Sequence, residues 1–399
     1  MNVTIHPSAL SGTVAAPSSK SMAHRLLICA ALAEGTSVIH NVDFSDDIQS
    51  TLDCLSAMNV SLSISGKTVT VFGGGMDALF PKAVLPCRES GSTLRFLIPI
   101  CLFGGFSATL SGTPKLLSRP LGVYEALCAA EGLSFVRERT CLHLSGRLKG
   151  NYFKLPADVS SQFITGMLLA LGGCRGGELS LTGAIESRPY IDMTLAAMRS
   201  FGVDARWSDE RTLIVPSDAH YTATEMVVEG DYSGAAFLEA LNIPDGAVRV
   251  TGLNKDSLQG DRIYQSLLPQ MTRGFINVSL ANCPDLAPIL MAVAAVCHGA
   301  IFTDTARLRF KESNRGEAMA EELRKFGASV VVTENSVTVE KSKLHAPTDR
   351  LSAHNDHRVA MALSVLMTRY GGTLTGAESV RKSFPNFYEK LKSLGADIT

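Results

Sequence analysis

The sequence carries almost no excess of charge of either sign. Its 399 residues include 37 Lys and Arg against 38 Asp and Glu, which gives a net charge of −1 at pH 7. Proteins that bind polyanions usually show a strong basic excess or a basic surface stripe. We therefore expect no nucleic-acid partner, and recognition of phosphate must come from a few cations brought together in one place.

The chain also lacks a hydrophobic run long enough to cross a bilayer. Its longest clean apolar stretch, residues 286–297, has 12 residues and contains Pro288, whereas a membrane span needs roughly 20. Residues 1–14 contain no basic segment followed by an apolar run, the pattern of a secretory signal peptide. These absences predict no membrane partner, a cytoplasmic location and a buried helix over 286–297.

Paired cysteines are absent as well. Nine cysteines are scattered singly, with no C-x-x-C pair. An odd, unclustered set predicts reduced thiols instead of a disulfide framework, and each thiol is interpreted as a small core residue. His354 and His357 could suggest a metal, but two histidines without further clustered ligands seldom make a site. We expect no metal and no cofactor.

An internal repeat is the most informative feature that is present. One module recurs six times: a polar cluster, an apolar helical run, then Gly and a short β run that ends on a small polar residue. The clusters are S-K-S-M-A-H-R, E-S-G-S-T-L-R, S-S-Q-F, G-D-Y-S-G, N-C-P-D-L and N-D-H-R. Their anchors, Ser21, Ser92, Ser161, Ser233, Asp285 and His357, are 71, 69, 72, 52 and 72 residues apart. The fourth module is therefore shortened, by about the length of a strand pair.

The repeat and the chain length together predict the fold. A chain of 399 residues is too long for one ordinary core, so two domains are expected. Each module indicates two helices on a small mixed sheet, and the helices are apolar nearly all round, which is typical of helices buried on most faces. We predict an α/β (α+β) protein with three modules per domain, helices packed inward and sheets outside, and a hinge near 229–230.

The polar clusters coincide with helix starts, where an anion can be bound. Ser, Thr and Asp are good N-caps, and a helix N-terminus offers free N–H groups and a partial positive charge. Cations recur beside these starts: Lys20, Arg25, Arg119, Arg188, Lys311, Arg315, Arg358 and Lys382. Capping alone would explain any single cluster but not a recurring Arg or Lys. The pattern predicts small, multiply anionic ligands, and the cation-free G-D-Y-S-G cluster is interpreted as structural.

These residues carry a family resemblance. From residue 14 onward, S-K-S-x-x-x-R, G-S-T-x-R, S-S-Q-F, S-R-P-Y-I-D, P-D-L-A-P, R-x-K-E-S-N-R and D-H-R-V-A-M resemble the 5-enolpyruvylshikimate-3-phosphate synthase family, in its order. The resemblance implies two domains, each of three βαβαββ-type units, that close on the substrates. It places a shikimate 3-phosphate side at 14–229 and a phosphoenolpyruvate side at 1–13 with 230–399. A monomer is expected.

The resemblance also implies a transferase. The enolpyruvyl (carboxyvinyl) group of phosphoenolpyruvate would move to the 5-hydroxyl of shikimate 3-phosphate through a tetrahedral adduct that releases phosphate, in the shikimate pathway to chorismate and aromatic amino acids. Asp285 is expected as the base and Glu312 as the proton donor, with Lys20 near both. Lys311 and Arg315 would lower a carboxyl pKa while burial would raise it, so the direction stays open. Tyr190 and His357 could assist.

Binding roles are implied residue by residue. The expected shikimate 3-phosphate ligands are Lys20, Ser21, Arg25, Ser160, Ser161, Ser187, Asp285 and Lys311. The expected phosphoenolpyruvate ligands are Lys20, Gly91, Arg119, Gln162, Arg315, Arg358 and Lys382. Gly91 fits because a backbone without Cβ allows close approach. Four positions depart from the family pattern, namely Ser18 for Gly, Glu89 for Asn, Ser92 for Thr, and Arg307 for Asn or Glu.

Three alternatives share parts of this pattern. A carboxyvinyl transferase acting on a UDP-sugar would resemble G-x-K-N at the first helix and carry a Cys on a mobile loop, but residues 112–122 contain no Cys. RNA 3′-phosphate cyclase would use a catalytic His, for which His357 is the candidate, with an RNA surface that is not evident. A non-catalytic anion-binding protein would gain nothing from Asp285 and Glu312.

Overall fold

The chain folds into two compact units. The structure, a computed structural model, describes residues 1–81, 83–174, 176–243 and 246–399. One unit spans Ser18–Glu229, and the other combines Met1–Pro17 with Gly230–Thr399. We call them the 18–229 unit and the 230–399 unit. Each is built around its own cluster of buried apolar side chains.

The described residues form 13 α-helices and 22 β-strands. The helices are α1 (Lys20–Leu32), α2 (Asp46–Ala57), α3 (Gly91–Gly104), α4 (Pro114–Ser118), α5 (Gly122–Ala130), α6 (Ser161–Gly172), α7 (Arg188–Ser200), α8 (Tyr232–Glu239), α9 (Tyr264–Met271), α10 (Ala287–Val296), α11 (Arg315–Lys325), α12 (His357–Tyr370) and α13 (Phe387–Ser393). The strands are β1 (Asn2–His6), β2 (Ser11–Ala15), β3 (Glu34–His40), β4 (Ser61–Ser65), β5 (Thr68–Gly74), β6 (Leu85–Arg88), β7 (Ala108–Gly112), β8 (Ser134–Arg137), β9 (Cys141–Ser145), β10 (Tyr152–Pro156), β11 (Gly177–Thr182), β12 (Arg206–Trp207), β13 (Thr212–Val215), β14 (Glu225–Val227), β15 (Ala247–Thr251), β16 (Ile276–Ser279), β17 (Gly299–Thr303), β18 (Val330–Val332), β19 (Ser336–Glu340), β20 (Leu351–Ser352), β21 (Gly372–Thr375) and β22 (Asp397–Ile398).

Five sheets share one four-stranded plan. Their strand orders are β14-β3-β5-β4, β6-β7-β9-β8 and β10-β11-β13-β12 in the 18–229 unit, then β16-β17-β19-β18 and β20-β21-β1-β22 in the 230–399 unit. In each, the first two strands run parallel and the remaining neighbours antiparallel. The repetition confirms the predicted α/β fold built from small mixed sheets and repeated modules.

The helices that open the modules are buried almost all round, as their composition predicts. In α3, 12 of 14 residues are buried, and in α10 nine of ten. The predicted buried helix over 286–297 is therefore confirmed as α10, and its Pro288 lies in the first turn, where a missing N–H costs nothing. Among the described helices, none combines the length and apolarity needed to span a membrane.

A proline inside α3 is accommodated by a neighbouring tyrosine. Pro99 cannot donate to the carbonyl of Arg95, four residues earlier. The buried Tyr124 hydroxyl donates to that carbonyl instead, at 2.9 Å. A Cβ on Gly166 of α6 would come within 2.5 Å of the same carbonyl, so only Gly lets α6 pack this closely on α3. This packing holds Arg95 of α3 close against α6.

The fourth module is shortened, as predicted. Within the described residues its sheet has two strands, β15 paired in parallel with β2. The other edge of β15 corresponds to the edge that carries an antiparallel strand in the five larger sheets. There the Asn242 side chain accepts from Val248 N at 2.7 Å and donates to Val248 O at 2.8 Å. One side-chain amide thus takes the place of one peptide unit of the missing strand.

Candidate active site

In the 18–229 unit, α1 begins at a buried ion pair. Ser19 caps the helix by accepting from Met22 N at 3.4 Å. Lys20, the first helical residue, places Nζ 2.6 Å from Asp47 Oδ2, and both side chains are less than 15% exposed, at 14% and 11%. The loop before the helix is tied by two 2.8 Å hydrogen bonds between Ser18 and Asp43. The Ser that departs from the family pattern therefore has a structural role here.

Arg25 joins three helices of the same unit. Its Nε donates to Thr194 Oγ1 at 2.9 Å, and its Nη1 donates to Ser21 O at 2.6 Å. Its Nη2 donates to Tyr190 O at 3.0 Å and to Thr165 Oγ1 at 3.3 Å. Four of the five N–H groups of the guanidinium are therefore used within the protein. Burial lowers the pKa of Arg25 to about 10, so it stays charged at neutral pH.

Gly91 opens α3 directly beneath a guanidinium group. A Cβ at this position would lie 2.8 Å from Nη1 of Arg119, so no other residue fits without displacing it. The preceding Ser90 caps the helix by accepting from Thr93 N at 3.3 Å. Arg119 is itself buried, at the end of α4. The Arg119 cation therefore lies close to the start of α3.

Gln162 is oriented by residues of α3. Its Oε1 accepts from Arg95 Nη1 at 2.6 Å, and its Nε2 donates to Ser92 Oγ at 3.0 Å. Ser92, which replaces the usual Thr, supplies that acceptor. Ser160 caps the start of α6 by accepting from Gln162 N at 3.3 Å. Arg95 belongs to the G-S-T-x-R segment but was not among the predicted site residues.

Ser187 has a backbone conformation that non-glycine residues rarely adopt. Its φ is 56° and ψ is 38°, in the left-handed region, and its side chain is buried at the start of α7. Such strain is typical of functional sites. The following Arg188 is exposed and stacks on Trp207, with 4.3 Å between the guanidinium carbon and the ring centre. Arg188 is thus placed by a cation–π contact at the surface of its unit.

In the 230–399 unit, Asp285 accepts from three cations. Arg358 Nη2 lies 2.8 Å from its Oδ2, and Arg315 Nη1 and Lys311 Nζ lie 2.9 and 3.3 Å from its Oδ1. Burial alone would raise the pKa of Asp285, but Arg358, Lys311 and Arg315 outweigh it and hold that pKa well below its usual range. The direction left open by the sequence is therefore downward for Asp285.

Arg315 is the centre of this cluster. Its side chain is 1% exposed, and it donates from Nε to Asp356 Oδ2 at 2.9 Å and from Nη2 to Glu312 Oε2 at 2.7 Å, besides Asp285. Burial would lower its pKa, but Asp356, Glu312 and Asp285 raise it above the ordinary value. The same guanidinium therefore contacts both predicted acid–base residues.

Asp356 holds the cluster to α12. It caps that helix by accepting from Arg358 N at 2.9 Å, and it also accepts from Ser313 Oγ at 3.0 Å. The chain turns into the helix through two non-glycine residues with positive φ, His354 at 49° and Asn355 at 54°. Lys382 Nζ donates to Asn355 O at 2.7 Å. Lys382, which is a predicted ligand like Arg358, therefore lies at the same turn.

Burial lowers the pKa of two further basic residues in this unit, Arg307 and Lys311. Arg307, which departs from the family pattern, donates from Nη2 to Ala281 O at 2.8 Å, and burial lowers its pKa to about 10. It supports the loop before Asp285. Burial likewise lowers the pKa of Lys311, an effect that the Asp285 and Glu312 charges oppose without outweighing it.

One grouping of described residues has the composition of a metal site. One ligand atom from each of Glu321, Glu322 and His354 lies within 4.8 Å of the others. Lys325 Nζ lies 2.9 Å from both oxygens of the buried Glu322, and His354 Nε2 lies 2.8 Å from one of them. Lys325 already supplies the positive charge that a metal ion would bring to these carboxylates. Ion pairing therefore explains the grouping.

Comparison with known proteins decides the family. A family model described as EPSP synthase (3-phosphoshikimate 1-carboxyvinyltransferase) matches residues 5–276 and 269–391. The chain belongs to the EPSP synthase family. Proteins named 3-phosphoshikimate 1-carboxyvinyltransferase from Clostridium kluyveri and Clostridium acetobutylicum are each 36% identical to it, over 419 and 421 residues that cover 99% of this chain and 98% of theirs. The family predicted from the motifs is confirmed.

Solved structures share the fold of this EPSP synthase family member. An EPSP synthase from Acinetobacter baumannii matches with a TM-score of 0.81 and 24% identity, over 100% of this chain and 99% of that one. The enolpyruvyl transferase NikO from Streptomyces tendae matches with a TM-score of 0.79 and 17% identity, over 100% and 98%. At these identities the likeness concerns the fold alone.

The predicted site residues fall into two groups, one in each unit. The 18–229 unit carries Lys20, Ser21, Arg25, Gly91, Arg119, Ser160, Ser161, Gln162 and Ser187. The 230–399 unit carries Asp285, Lys311, Glu312, Arg315, Arg358 and Lys382. Asp285, Lys311, Glu312, Arg315 and Arg358 are joined by direct ion pairs. Asp47, Arg95 and Asp356 were missed, although the latter two lie inside the motifs.

Proposed function

We propose that the protein transfers the carboxyvinyl group of phosphoenolpyruvate to the 5-hydroxyl of shikimate 3-phosphate and releases phosphate. The observation that carries this proposal is the cluster of two carboxylates, Asp285 and Glu312, bridged by Arg315 and flanked by Lys311 and Arg358. An acid–base pair among cations suits a reaction between two anions. The full-length relatives with that printed activity support the same conclusion.

Shikimate 3-phosphate is proposed to bind mainly to the 18–229 unit. Ser21, Ser160, Ser161 and Ser187 bring hydroxyl donors to helix starts, and Lys20 and Arg25 bring positive charge. Charge-assisted hydrogen bonds of about 1.5–3 kcal/mol each suit a phosphate and a carboxylate. Since four of the five N–H groups of Arg25 are already used, its proposed contact is limited to one donor and its charge. Asp285 and Lys311 are the remaining proposed ligands.

Phosphoenolpyruvate is proposed to bind cations of both groups. Arg119 lies against Gly91 at the start of α3. Arg95 and Ser92 of the same helix hold Gln162 in one orientation. Lys20 is proposed to contact this substrate as well. Arg315, Arg358 and Lys382 are the proposed ligands in the 230–399 unit. Because Arg315 is almost fully enclosed by carboxylates, its effect on the substrate is proposed to act through charge and through Asp285 and Glu312.

The proton transfers are proposed to use the two carboxylates in opposite senses. Asp285 takes the proton of the 5-hydroxyl as that oxygen bonds to the central carbon of phosphoenolpyruvate, and Glu312 gives a proton to the methylene carbon, which becomes a methyl group. The adduct then expels phosphate and a methyl proton returns to a base. Asp285 is ionised, the form a base needs, but three cations keep its basicity low. Substrate phosphate and carboxylate groups would draw those cations away and raise it.

The remaining properties are proposed from the composition and the thiols. We expect a monomer in the cytoplasm, without metal or nucleic-acid partners. Six of the nine cysteines are buried free thiols, in keeping with a reducing compartment. Sedimentation of the purified protein tests the oligomeric state.

Phosphate release from shikimate 3-phosphate and phosphoenolpyruvate tests the function. We expect release only when both are present, unaffected by a chelator and absent when UDP-N-acetylglucosamine replaces shikimate 3-phosphate. In Glu312→Ala, kcat should fall about 10²–10⁴-fold with little change in KM, because a proton donor acts in the transition state. The control is Glu317→Ala, an exposed acid in the first turn of α11, five residues after Glu312. Equal turnover in the two variants would remove Glu312 from the mechanism.

A further inference from the structure

A series of buried hydrogen bonds connects three helices of the 18–229 unit. Nδ1 of His24 in α1 lies 2.8 Å from Oγ1 of Thr51 in α2. That oxygen lies 2.7 Å from Oγ1 of Thr93 in α3, which donates to Ser90 Oγ at 2.7 Å. We call these four side chains the hydroxyl network. All four residues are 0% exposed, so bulk water cannot replace a bond that is lost.

The hydroxyl network ends at the start of α3, where the Gly91 backbone is proposed to meet phosphoenolpyruvate. Ser90, the residue before Gly91, caps α3 by accepting from Thr93 N at 3.3 Å. Thr93 therefore makes two bonds to the cap, one from its backbone and one from its hydroxyl. Because both bonds go to the residue that precedes Gly91, the hydroxyl of Thr93 helps to fix the first turn of α3.

A further contact joins Thr93 to the ion pair at the start of α1. Thr93 Oγ1 lies 3.5 Å from the backbone oxygen of Asp47, whose carboxylate accepts from Lys20 Nζ at 2.6 Å. Helix α2, which carries Asp47 and Thr51, packs against both α1 and α3. It therefore connects the helix that begins with Lys20 to the helix that begins with Gly91. Both of these residues are proposed ligands of phosphoenolpyruvate.

Cohesion between the helices does not by itself account for these hydroxyl groups. Residues 96–103 of α3 are all buried and apolar, and such side chains hold helices together without the cost of burying polar groups. Valine would fill nearly the same space as Thr51 or Thr93. What the hydroxyl groups add is direction, because a satisfied buried network specifies one arrangement of the groups that it joins.

We propose that Thr51 and Thr93 are positioning residues for phosphoenolpyruvate: through Ser90 they hold the Gly91 end of α3 in one position relative to α1 and α2. The inference rests on the proposed function and on the role proposed for Gly91. Both threonines are completely buried, so they act through Ser90 and Gly91 and not by touching the substrate. Shikimate 3-phosphate, proposed to bind at the starts of α1, α6 and α7, depends much less on the network.

The first test uses Thr51→Val in the full-length protein, because Thr51 lies on a different helix from the cap. The KM for phosphoenolpyruvate should rise about tenfold, while kcat and the KM for shikimate 3-phosphate should change less than about twofold, since binding of one substrate is weakened before and in the transition state alike. Thr51→Ser keeps the hydroxyl and should have the wild-type KM. A folded Thr51→Val with the wild-type KM for phosphoenolpyruvate, or with both KM values raised equally, would overturn the proposal.

Ser50→Ala is the matched control for this variant. Ser50 is the preceding residue of α2 and is also buried, but its hydroxyl donates to Asp46 O at 2.9 Å, within the same helix. Its loss removes a buried hydroxyl and leaves the network intact, so both KM values should stay at the wild-type level. An equal rise in the KM for phosphoenolpyruvate in Ser50→Ala and Thr51→Val would reject the network as the cause.

A second variant pair covers the case in which Thr51→Val does not fold. Thr93→Val keeps the shape of the side chain and loses the hydroxyl, so the KM for phosphoenolpyruvate should rise. Thr93→Ser keeps the hydroxyl and loses a methyl group, so this KM should stay near wild type. Equal KM values in the two Thr93 variants contradict the proposal.

A readout without activity separates this inference from the proposed function. In the substrate-free protein, amide hydrogen exchange at Thr93 and Leu94 measures the stability of the cap, because these N–H groups donate to Ser90 Oγ and Ser90 O at 3.3 and 3.1 Å. Thr51→Val should make both amides exchange at least about fivefold faster, the effect expected from the loss of one hydrogen bond that supports them. A role confined to α2 would leave both rates unchanged.

The reference for this measurement is the start of α4. The N–H of Leu116 donates to Thr113 Oγ1 at 3.3 Å, a cap of the same kind outside the network, and should exchange equally in both proteins. If the wild type does not release phosphate yet exchange at the start of α3 becomes faster in Thr51→Val, the positioning network is right and the proposed substrates are wrong. If it releases phosphate and exchange there is unchanged, the positioning role is wrong.

Discussion

Arg315 shows how a single side chain can organise an acid–base site. Three carboxylates, Asp285, Glu312 and Asp356, contact one guanidinium that has almost no exposure to water. The planar group offers donors in fixed directions, so it fixes the spacing of its partners in a way that an ammonium could not. The arrangement is stable only as a whole, because removing one ion leaves the others buried and uncompensated.

The first residue-scale prediction concerns this cluster. Arg315→Ala should lower the free energy of unfolding by about 3–5 kcal/mol, since three carboxylates lose a shared buried cation. Arg273→Ala is the matched control, because Arg273 is exposed and makes no ion pair within the described residues. Its effect should stay within about 0.5 kcal/mol. Urea unfolding measures both. A loss in Arg315→Ala no larger than in the control would contradict the role given to Arg315.

A buried histidine supports a second prediction. His24 in α1 is fully buried, with Nδ1 2.8 Å from Thr51 Oγ1. Burial, with smaller contributions from Lys20 and Arg25, holds its pKa well below 6.5. The unfolded chain then binds a proton that the folded chain does not, so stability present above pH 6.5 is lost as the pH falls below it.

The expected loss is about 1.4 kcal/mol per pH unit below that point, until the folded pKa is reached. Unfolding free energies of wild type and His24→Gln, compared between pH 7 and pH 5.5, measure this slope. The wild type should lose more than the variant, whereas the exposed His220→Gln should keep the wild-type slope. Identical slopes in wild type and His24→Gln would show that His24 accepts a proton in the folded state.

At the scale of elements, helix starts were the predictable part. Ser19, Ser90, Ser160, Asp231 and Asp356 cap α1, α3, α6, α8 and α12. Their residue types at the start of apolar runs predicted those boundaries. The partners of the arginines could not be predicted in the same way. Arg25 meets Thr194 from 169 residues away, and local spacing carries no information about such a pair.

The shortened module gives an element-scale prediction. Asn242→Ala should leave Val248 N and O without their amide partner, at a cost of about 1–3 kcal/mol in unfolding free energy. It should also open the edge of β15 to pairing with other chains, because unpaired strand edges promote association. Unfolding and sedimentation at several concentrations measure the two effects. Asn277→Ala, an exposed position on β16, is the control and should change neither.

At the scale of the whole molecule, the period predicted six modules but not every strand pairing. β14 pairs with β3, and β1 lies between β21 and β22. Both pairings join strands far apart in the sequence, and a strand pattern does not identify its partner. The pairing of β2 with β15 likewise places residues 14–15 in the 230–399 unit. The motif match beginning at residue 14 gave no indication of this.

The last prediction follows from assigning the substrates to the two units. Shikimate 3-phosphate alone should slow amide hydrogen exchange mainly in the 18–229 unit, at the starts of α1, α6 and α7, since an anion there occupies the free N–H groups. Adding phosphoenolpyruvate should extend protection to the start of α3 and, in the 230–399 unit, to the start of α12. At a free substrate concentration of 100 times Kd, binding stabilises the folded protein by about 2.7 kcal/mol, which is enough to be measured as slower exchange.

The controls for this experiment lie within the same chain. Helix α13 carries no proposed ligand and should exchange at the same rate in every state. Lys20→Met should lose the protection at α1, because its ammonium lies at that helix start, whereas Lys67→Met, with a side chain 61% exposed, should keep it. Protection by shikimate 3-phosphate alone that appeared only in the 230–399 unit would reverse the assignment. The carboxylate cluster would then be the first binding site, with the helix starts of the 18–229 unit left for the second substrate.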